Sequence, residues 1–226
     1  MKRAVLALCL LLFSTMAFCQ SQDNQQQEKR AHFFMTAGLL GILNMHSGTH
    51  SAPSPILFSP GFGVDIYMTK KLFLQPHANI FYTYYLWNKD MALPAEVENR
   101  TATVPALLLD VPAVWNIVER NTMFVQVGGG LAVLARFGIL SNGVSENDPN
   151  RDYPNRTAKE DVSDINSFFY QDMRWLYPEL TGTIMFALSN GWKLGASTTL
   201  YIPLGSLISG DGFNSAMLNL CVRLVY

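Results

Sequence analysis

Apolar and polar side chains alternate along most of the chain with a period of two, which is the period of a β-strand. The C-terminal stretch is the clearest example. Over residues 216–226 every even position is apolar, ending at Tyr226, while Asn219 and Arg223 occupy odd positions. One face of this strand therefore suits an apolar surrounding, and the opposite face carries an amide and a guanidinium group.

Eight segments follow this pattern and are bounded by turn residues. We predict strands over residues 32–44, 57–68, 72–86, 101–116, 123–137, 174–188, 192–204 and 216–226. Short connections at 69–71, 118–122 and 189–191 alternate with long ones at 45–55, 87–100, 138–167 and 205–213. This alternation is typical of an up-and-down antiparallel barrel, with tight turns at one end and large loops at the other.

The composition favours a membrane barrel over a soluble one. The chain is 49% hydrophobic and 15% charged, yet after residue 19 it lacks the run of about 18 apolar residues that reads as a spanning helix. Because every backbone donor must be paired in lipid, the only other spanning structure is a closed barrel. We therefore predict an all-β fold over residues 31–226: a closed up-and-down antiparallel transmembrane β-barrel of eight strands.

The N-terminus has the pattern of a secretory signal peptide over residues 1–19. Two basic residues precede a short apolar core at 4–13 and a region of small residues. Cleavage after Ala17 or after Cys19 fits the small-residue rule. Cys19 is also a candidate for lipid attachment, but Phe18 stands where that signal needs a small residue. Residues 20–30 form a polar leader, which we expect to be disordered.

Charge and cysteine content exclude two further classes. Removal of residues 1–19 takes away two basic residues and no acidic one, so the formal net charge of −1 becomes more negative by two. Without a basic surface, nucleic acid is not an expected partner. Two of the three cysteines lie in the signal peptide, which leaves Cys221 alone and gives no disulfide framework.

Four features of the chain are informative together: its leader, its alternating connections, the sequence Gly-Phe-Gly-Val-Asp at 61–65 before a turn, and its aromatic C-terminus. In these features the chain resembles the small eight-stranded outer-membrane barrels of the OmpA, OmpX and OmpW type. The resemblance implies a bacterial outer-membrane location, outer-membrane lipids as partners and both termini in the periplasm. It also implies that the barrel-assembly machinery reads the last strand, with Leu224 and Tyr226 as the signal. OmpW-like relatives would add passage of small solutes through a hydrophobic lumen, but the lumen face here is more polar and nearer the OmpA kind.

Aromatic residues fall where a barrel has its interfacial girdles. We expect Trp115, Trp192 and Tyr226 to face outward near the short turns. Tyr82, Tyr84 and Phe137 are expected to face outward near the long loops.

Inward positions carry charges of both signs, and buried charges need partners. We expect Asp65, Lys193 and Arg223 to lie together near the short turns. Arg136 and Glu179 are expected to pair in the other half, on neighbouring strands. Further lumen polar residues are expected at Gln75, His77, Asn79 and Gln126. Such a network either fills the lumen permanently or acts as a gate in which pairs exchange partners.

Asp110 does not fit the simple pattern of the fourth strand. An alternation that points Thr103 inward sends Asp110 toward lipid. A bulge near Pro112 or a reversed alternation would bring the carboxylate inside, and the sequence leaves this choice open.

The sequence predicts no catalytic, cofactor or metal site. His77 is better explained as a lumen hydrogen-bonding residue than as a catalytic base, because nothing places Ser197 or Thr199 beside it. His46 and His50 lie in a Gly- and Ser-containing loop that does not favour a metal site.

The longest connection is rich in acidic residues, with six between positions 141 and 166. It is either a solvated loop or a contact surface for an external ligand. We expect a non-enzymatic barrel with an envelope-structural and surface-contact role; the alternative is a narrow pore for ions or small solutes. A wide porin, a barrel hydrolase and a lipocalin-like binder are less compatible with the pattern.

Overall fold

The computed structural model describes residues 31–45, 55–88, 90–95, 102–149, 155–189 and 191–226. The expected signal peptide, the polar leader, His46 and His50 lie outside these residues. Residues Ala31–Tyr226 form one compact unit.

The described unit contains strands at all eight predicted places. The strands are β1 (Ala31–Ile42), β2 (Ile56–Tyr67), β3 (Leu72–Leu74), β4 (His77–Asn88), β5 (Met91–Ala95), β6 (Ala102–Glu119), β7 (Met123–Arg136), β8 (Ile139–Leu140), β9 (Leu176–Ala187), β10 (Lys193–Tyr201) and β11 (Met217–Val225). Between the strands, the described residues form two α-helices, α1 (Ala158–Tyr170) and α2 (Leu204–Ser209), and a short 3-10 helix (Gln171–Met173).

The sheet closes on itself. The order of antiparallel neighbours is β1, β2, β4, β6, β7, β9, β10 and β11, and β11 pairs again with β1. The strand expected over 72–86 is divided at Gln75 and Pro76, so that β3 and β4 together fill one place in the ring. The described residues therefore form an eight-membered antiparallel ring, and the predicted all-β fold class is confirmed.

Large apolar side chains point away from this ring. Examples on successive strands are Phe33, Met35, Leu39, Phe58, Phe62, Ile80, Tyr82, Leu109, Leu131, Leu180, Ile184, Leu194, Leu200, Leu220 and Val222. Leaving each such side chain in water forfeits about 1.5–3 kcal/mol of burial energy, so a band of this extent is stable against lipid rather than water. No described helix combines the length and the apolar character that crossing a membrane demands.

The interior of the ring is filled by side chains. Near the long loops, Leu40, Phe81, Leu108, Tyr177 and Tyr201 belong to one buried cluster. A smaller cluster near the short turns joins Phe34, Met185 and Val225. An eight-stranded barrel leaves just enough interior space for side chains, and this one uses that space.

Strand β6 resolves the position of Asp110. Even-numbered residues of β6 are buried and odd-numbered ones are outward over nearly its whole length, the reverse of the alternation that Thr103 suggested. Asp110 is therefore inside, opposite His77. The one register shift between β6 and β7 lies between Asn116 and Val118, not at Pro112.

The long connections contain more regular structure than expected. The segment 138–167, expected as a loop, holds β8 and the start of α1, while β5 folds back on β4 and α2 follows β10. Helix α1 begins with a capping box. The Thr157 hydroxyl accepts a hydrogen bond from the backbone N–H of Glu160, and the Glu160 carboxylate accepts one from the backbone N–H of Thr157. Its Ile165 and Phe169 are buried against Tyr85 and Val104, so an apolar stripe rather than a solvated loop lies over the barrel end.

Candidate functional site

The lumen holds its polar side chains at three depths between the short-turn end and the long-loop end. At the short-turn end, Arg223 Nη2 donates to both carboxylate oxygens of Asp65, at 2.5 and 2.6 Å. Gln75 Nε2 donates to the same carboxylate at 2.8 Å. The Arg223 guanidinium also lies 3.8 Å from the centroid of the Phe34 ring. The carboxylate on β2 is thus held by Arg223 from β11 and by Gln75 from the break between β3 and β4.

Lys193 does not join this cluster. Its ammonium lies 4.4 Å from the centroid of the Phe124 ring, in a cation–π contact. Lys193 lies at the same short-turn end of the barrel, at the start of β10, but among the described ion pairs Asp65 has Arg223 and not Lys193 as its partner. Gln126 is buried nearby and donates to Asn116 at 3.0 Å across β6 and β7.

In the middle of the lumen, His77 joins groups from three strands. Its Nε2 lies 2.9 Å from Thr36 Oγ1, and its Nδ1 lies 3.1 Å from Asn79 Nδ2 and 3.4 Å from Asp110 Oδ2. Tyr201 donates its hydroxyl to the same Asp110 oxygen at 2.9 Å. Antiparallel register explains this assembly, because it places His77 directly opposite Asp110.

The order hydroxyl, imidazole and carboxylate is also that of a hydrolytic triad. Sequence reasoning missed Thr36, because β1 showed only weak polarity; Ser197 and Thr199 instead bond to Thr183 and Thr181. Thr36 is 7% exposed and Asp110 is 3% exposed. The hydroxyl thus lies inside a packed lumen, where it serves as a hydrogen-bond partner of His77.

Glu179 lies in the same part of the lumen, without a cation. Its register partner on β10 is Tyr201, and both of its carboxylate oxygens are buried with no hydrogen-bond partner among the described residues. It is close enough to Asp110 for the two carboxyl groups to interact electrostatically.

At the long-loop end, Arg136 bonds to neutral acceptors. Its Nη1 donates to Tyr85 Oη at 3.3 Å, and its Nη2 donates to the backbone oxygen of Arg174 at 3.0 Å. The expected pair of Arg136 with Glu179 is therefore wrong. Glu179 lies opposite Gly130, six residues before Arg136 on β7 and roughly 20 Å away along the strand, which exceeds the reach of an arginine side chain.

Helix α1 closes this end of the lumen. Phe169 stacks on the Arg136 guanidinium at 4.1 Å and meets the Tyr85 ring edge-on at 4.8 Å between centroids. Tyr170 Oη donates to the backbone oxygen of Arg136 and accepts from its N–H. Asn166 makes the same two-way contact with Gly138. Four hydrogen bonds thus tie the helix to the end of β7.

The acidic segment before and within α1 is organised by ion pairs. Arg156 bonds to Asp161 and Asp164, and Lys159 bonds to Glu146 at 2.7 Å. These carboxylates raise the pKa values of Arg156 and Lys159, since hydrogen bonds favour the charged forms. Within the described ranges no group of His, Cys, Asp and Glu side chains is arranged to hold a metal ion.

The girdle residues lie on the outside. Trp115, Tyr82 and Phe137 are well exposed. Tyr84 is half-buried and meets Tyr82 edge-on at 6.3 Å. Trp192 meets Tyr226 at 5.0 Å. Tyr226 also donates its backbone N–H to Phe33, and Leu224 lies opposite Met35 of β1 and Leu194 of β10.

No protein-family model matches the chain, and no curated protein matches it. Among solved structures, the chain is similar to Neisserial surface protein A, with a TM-score of 0.52 and 10% identity over 87% of this chain and 96% of that one. It also matches Ail of Yersinia pestis in complex with the heparin analogue sucrose octasulfate (TM-score 0.42, 7% identity, 87% and 96% covered). A third match is the outer membrane enzyme PagL (0.34, 13%, 84% and 97%). The likeness to the Neisserial protein shows that this chain has the fold of a small outer-membrane β-barrel.

Proposed function

We propose that this protein is a closed outer-membrane β-barrel that contributes to envelope structure and presents an ordered surface outside the cell. In this proposal both termini lie in the periplasm, the apolar exterior contacts outer-membrane lipids, and the long loops face outward. The fold and the apolar exterior support the location; the filled lumen supports a structural role over a transport role.

The contact between α1 and the barrel carries the proposal. Ile165 and Phe169 are fully buried where a pore would need an opening, and Arg136 lies directly beneath Phe169. Below them, the His77 and Asp65 networks occupy the lumen at two further depths. A continuous water column would have to displace all three layers.

A contact role is favoured by the surface beyond the barrel end. Helix α2 and the turn after it expose Leu207, Ile208 and Phe213, on a backbone fixed by the bond of Arg174 to Asp211. Exposed apolar side chains on an ordered loop are a common feature of interaction surfaces. Replacement of Ile208 and Phe213 by serine should reduce attachment of cells that display the protein, without changing its surface level.

We also propose that the protein is not an enzyme. The Thr36 hydroxyl is the nearest candidate nucleophile to His77, and it is buried inside the lumen. In this proposal the imidazole serves as a hydrogen-bonding centre for three strands.

A narrow pore is the second candidate, and the unpaired lumen charges favour it. Glu179 and Arg136 are both buried without an ion-pair partner among the described residues. Charged side chains line the ion paths of channels, and here such a path would open if the helix over the barrel end moved aside.

Single-channel recording separates the two functions. Residues 20–226, refolded in detergent and inserted into planar bilayers, should give a folded, heat-modifiable barrel with no stepwise current. Steady small openings from the same folded preparation would favour the pore and would contradict a permanently filled lumen.

A further inference from the structure

We propose that the long-loop end of the barrel holds a small anion of halide size between Arg136 and Arg174, beneath helix α1. The site shares Arg136, Arg174 and helix α1 with the proposed function, but it requires neither a closed lumen nor a surface-contact role. It stands on a cavity, on unpartnered donors and on an uncompensated charge.

The cavity has a volume of about 10 Å³, and its walls include Tyr85, Arg136, Arg174, Tyr177 and Ser206. A space of this size admits one species about as large as a water molecule. It is too small for a phosphate or sulfate group. Its wall combines two guanidinium groups with four hydroxyl-bearing side chains, the fourth being Ser215, a donor-rich surrounding that suits an anion.

Both arginines have a donor left over. Arg136 uses Nη1 and Nη2 in bonds to Tyr85 and to the backbone of Arg174, and Arg174 uses Nη2 in bonds to Ser209 and Asp211. The Nε atoms of Arg136 and Arg174 are buried and have no hydrogen-bond partner among the described residues. Arg136 is only 4% exposed, so water does not serve it from outside.

The charge around the cavity is not balanced. Arg174 has the Asp211 carboxylate at 2.8 Å, whereas no described ion pair contains Arg136. The Glu179 carboxylate lies too far along the barrel to compensate it. A buried cation without a counter-charge is strongly destabilising. A bound water would satisfy an N–H group but would leave the charge, while an anion satisfies both.

The cover of the site depends on the same two arginines. Phe168 lies 4.2 Å from the Arg174 guanidinium, and Phe169 lies 4.1 Å from that of Arg136. Two consecutive residues of α1 thus stack on the two cations from above. An anion between the cations would hold them together and would thereby stabilise the docked position of α1.

Bromide tests the site directly, because it replaces chloride and gives an anomalous X-ray signal. Crystals of the refolded full-length mature barrel grown with sodium bromide should show an anomalous peak between the two Nε atoms. In solution, the thermal midpoint should rise with chloride or bromide more than with gluconate at equal ionic strength.

Arg136→Lys keeps a positive charge but lacks the Nε–H group. This variant should lose the anomalous peak. Its halide affinity, derived from the rise of the thermal midpoint with halide concentration, should be weaker by at least about tenfold, the loss expected for one charge-assisted hydrogen bond. Arg120→Gln, which removes an exposed arginine at a turn, is the matched control and should behave as wild type.

A cavity that contains water and no bromide in wild-type crystals would overturn the proposal, whatever the variants do. So would a stabilisation that is equal in all three salts, or one that Arg136→Lys and Arg120→Gln retain alike. A bromide peak together with channel openings would support the anion site while contradicting the filled lumen, so the two proposals fail separately.

Discussion

Arg223 on β11 reaches past β1 to hold Asp65 on β2, with one Nη2 atom 2.5 and 2.6 Å from the two carboxylate oxygens. The pair is almost completely buried, so each charge depends on the other. Because β1 lies between these strands in the ring, the pair bridges the place where the first and last strands meet.

Asp65→Asn should therefore destabilise the refolded barrel by about 3–5 kcal/mol, since it leaves the Arg223 cation buried without a counter-charge. Urea unfolding in detergent, followed by tryptophan fluorescence, measures this loss. The double variant Asp65→Asn with Arg223→Met should recover part of the stability. If the loss of unfolding free energy in the double variant equals the sum of the losses in the two single variants, the two side chains do not interact.

Loosening α1 should release the helix without opening the lumen, because the His77 and Asp65 layers still fill it. The variant Asn166→Ala with Tyr170→Phe removes the four side-chain bonds to the end of β7 and should speed proteolysis of α1 while the barrel stays silent in planar bilayers. Ser167→Ala, on the exposed side of the same helix, is the control and should resist proteolysis as wild type does. Current steps from the double variant alone would show that α1 is the barrier and that the two deeper layers do not block the lumen.

His77→Ala should cost about 1–3 kcal/mol, because it removes the imidazole partner of the buried Thr36 hydroxyl and Asn79 amide and leaves Asp110 with Tyr201 alone. Replacement should cause no loss of esterase or lipase activity, since none is expected from wild type. The comparison uses a panel of ester substrates with Thr36→Val as the second variant. An activity present in wild type and absent from both folded variants would make the triad catalytic.

Replacement of Tyr226 by aspartate should block assembly into the membrane while secretion across the inner membrane continues. The ring packs against Trp192 and lies at the exposed end of the last strand, where a charge disrupts the interfacial contact. Membrane fractionation with heat-modifiability gels measures the outcome. Tyr82→Asp, at the opposite girdle, is the matched control; equal failure of both variants would remove any special role of the C-terminal residue.

The cap of α1 should weaken in acid. Hydrogen bonds from Thr157 lower the pKa of the Glu160 carboxyl below its usual value. A lowered pKa in the folded state contributes stability above the unfolded pKa, near 4.3, and that stability is lost as pH falls through the folded value. The protection factor of the backbone amides in the first turn of α1, taken relative to the intrinsic exchange rate at each pH, should fall below about pH 4.3.

Glu160→Gln should remove most of this pH dependence while keeping the helix. Arg156 bonds to two other carboxylates of the same helix, those of Asp161 and Asp164, so Arg156→Gln serves as the control for their contribution. An unchanged acid response in Glu160→Gln would assign the effect to Asp161 and Asp164 instead.

Alternation predicted the strands because lipid and lumen impose opposite requirements on successive residues. All eight places in the ring carry strands within a few residues of the predicted bounds, and the predicted barrel is confirmed. Alternation failed for Asp110 because β6 has apolar side chains on both faces, Leu108 inside and Leu109 outside. Polarity then gives no indication of which side is which.

Helix α1 was missed although a signal was present. Thr157 and Glu160 have capping-box spacing, and Ile165 and Phe169 follow at helical spacing. The surrounding acidic residues masked this pattern. The partners of Arg136 were not predictable in the same way, because they include a backbone oxygen and the tyrosine of a distant strand. Arg136 and Glu179 also lie at different depths in the barrel. Depth is set by the register between neighbouring strands, which the alternation of polar and apolar residues does not give.

The pairing of β1 with β11, in which Phe34 lies opposite Val225, has a consequence for how the barrel is made. The seam of the cylinder joins the first and the last of the described strands, so the cylinder cannot close before β11 has left the ribosome. Contacts of such large sequence separation form slowly. Until this seam forms, β1 and β11 each present an unpaired edge that is open to pairing with other chains.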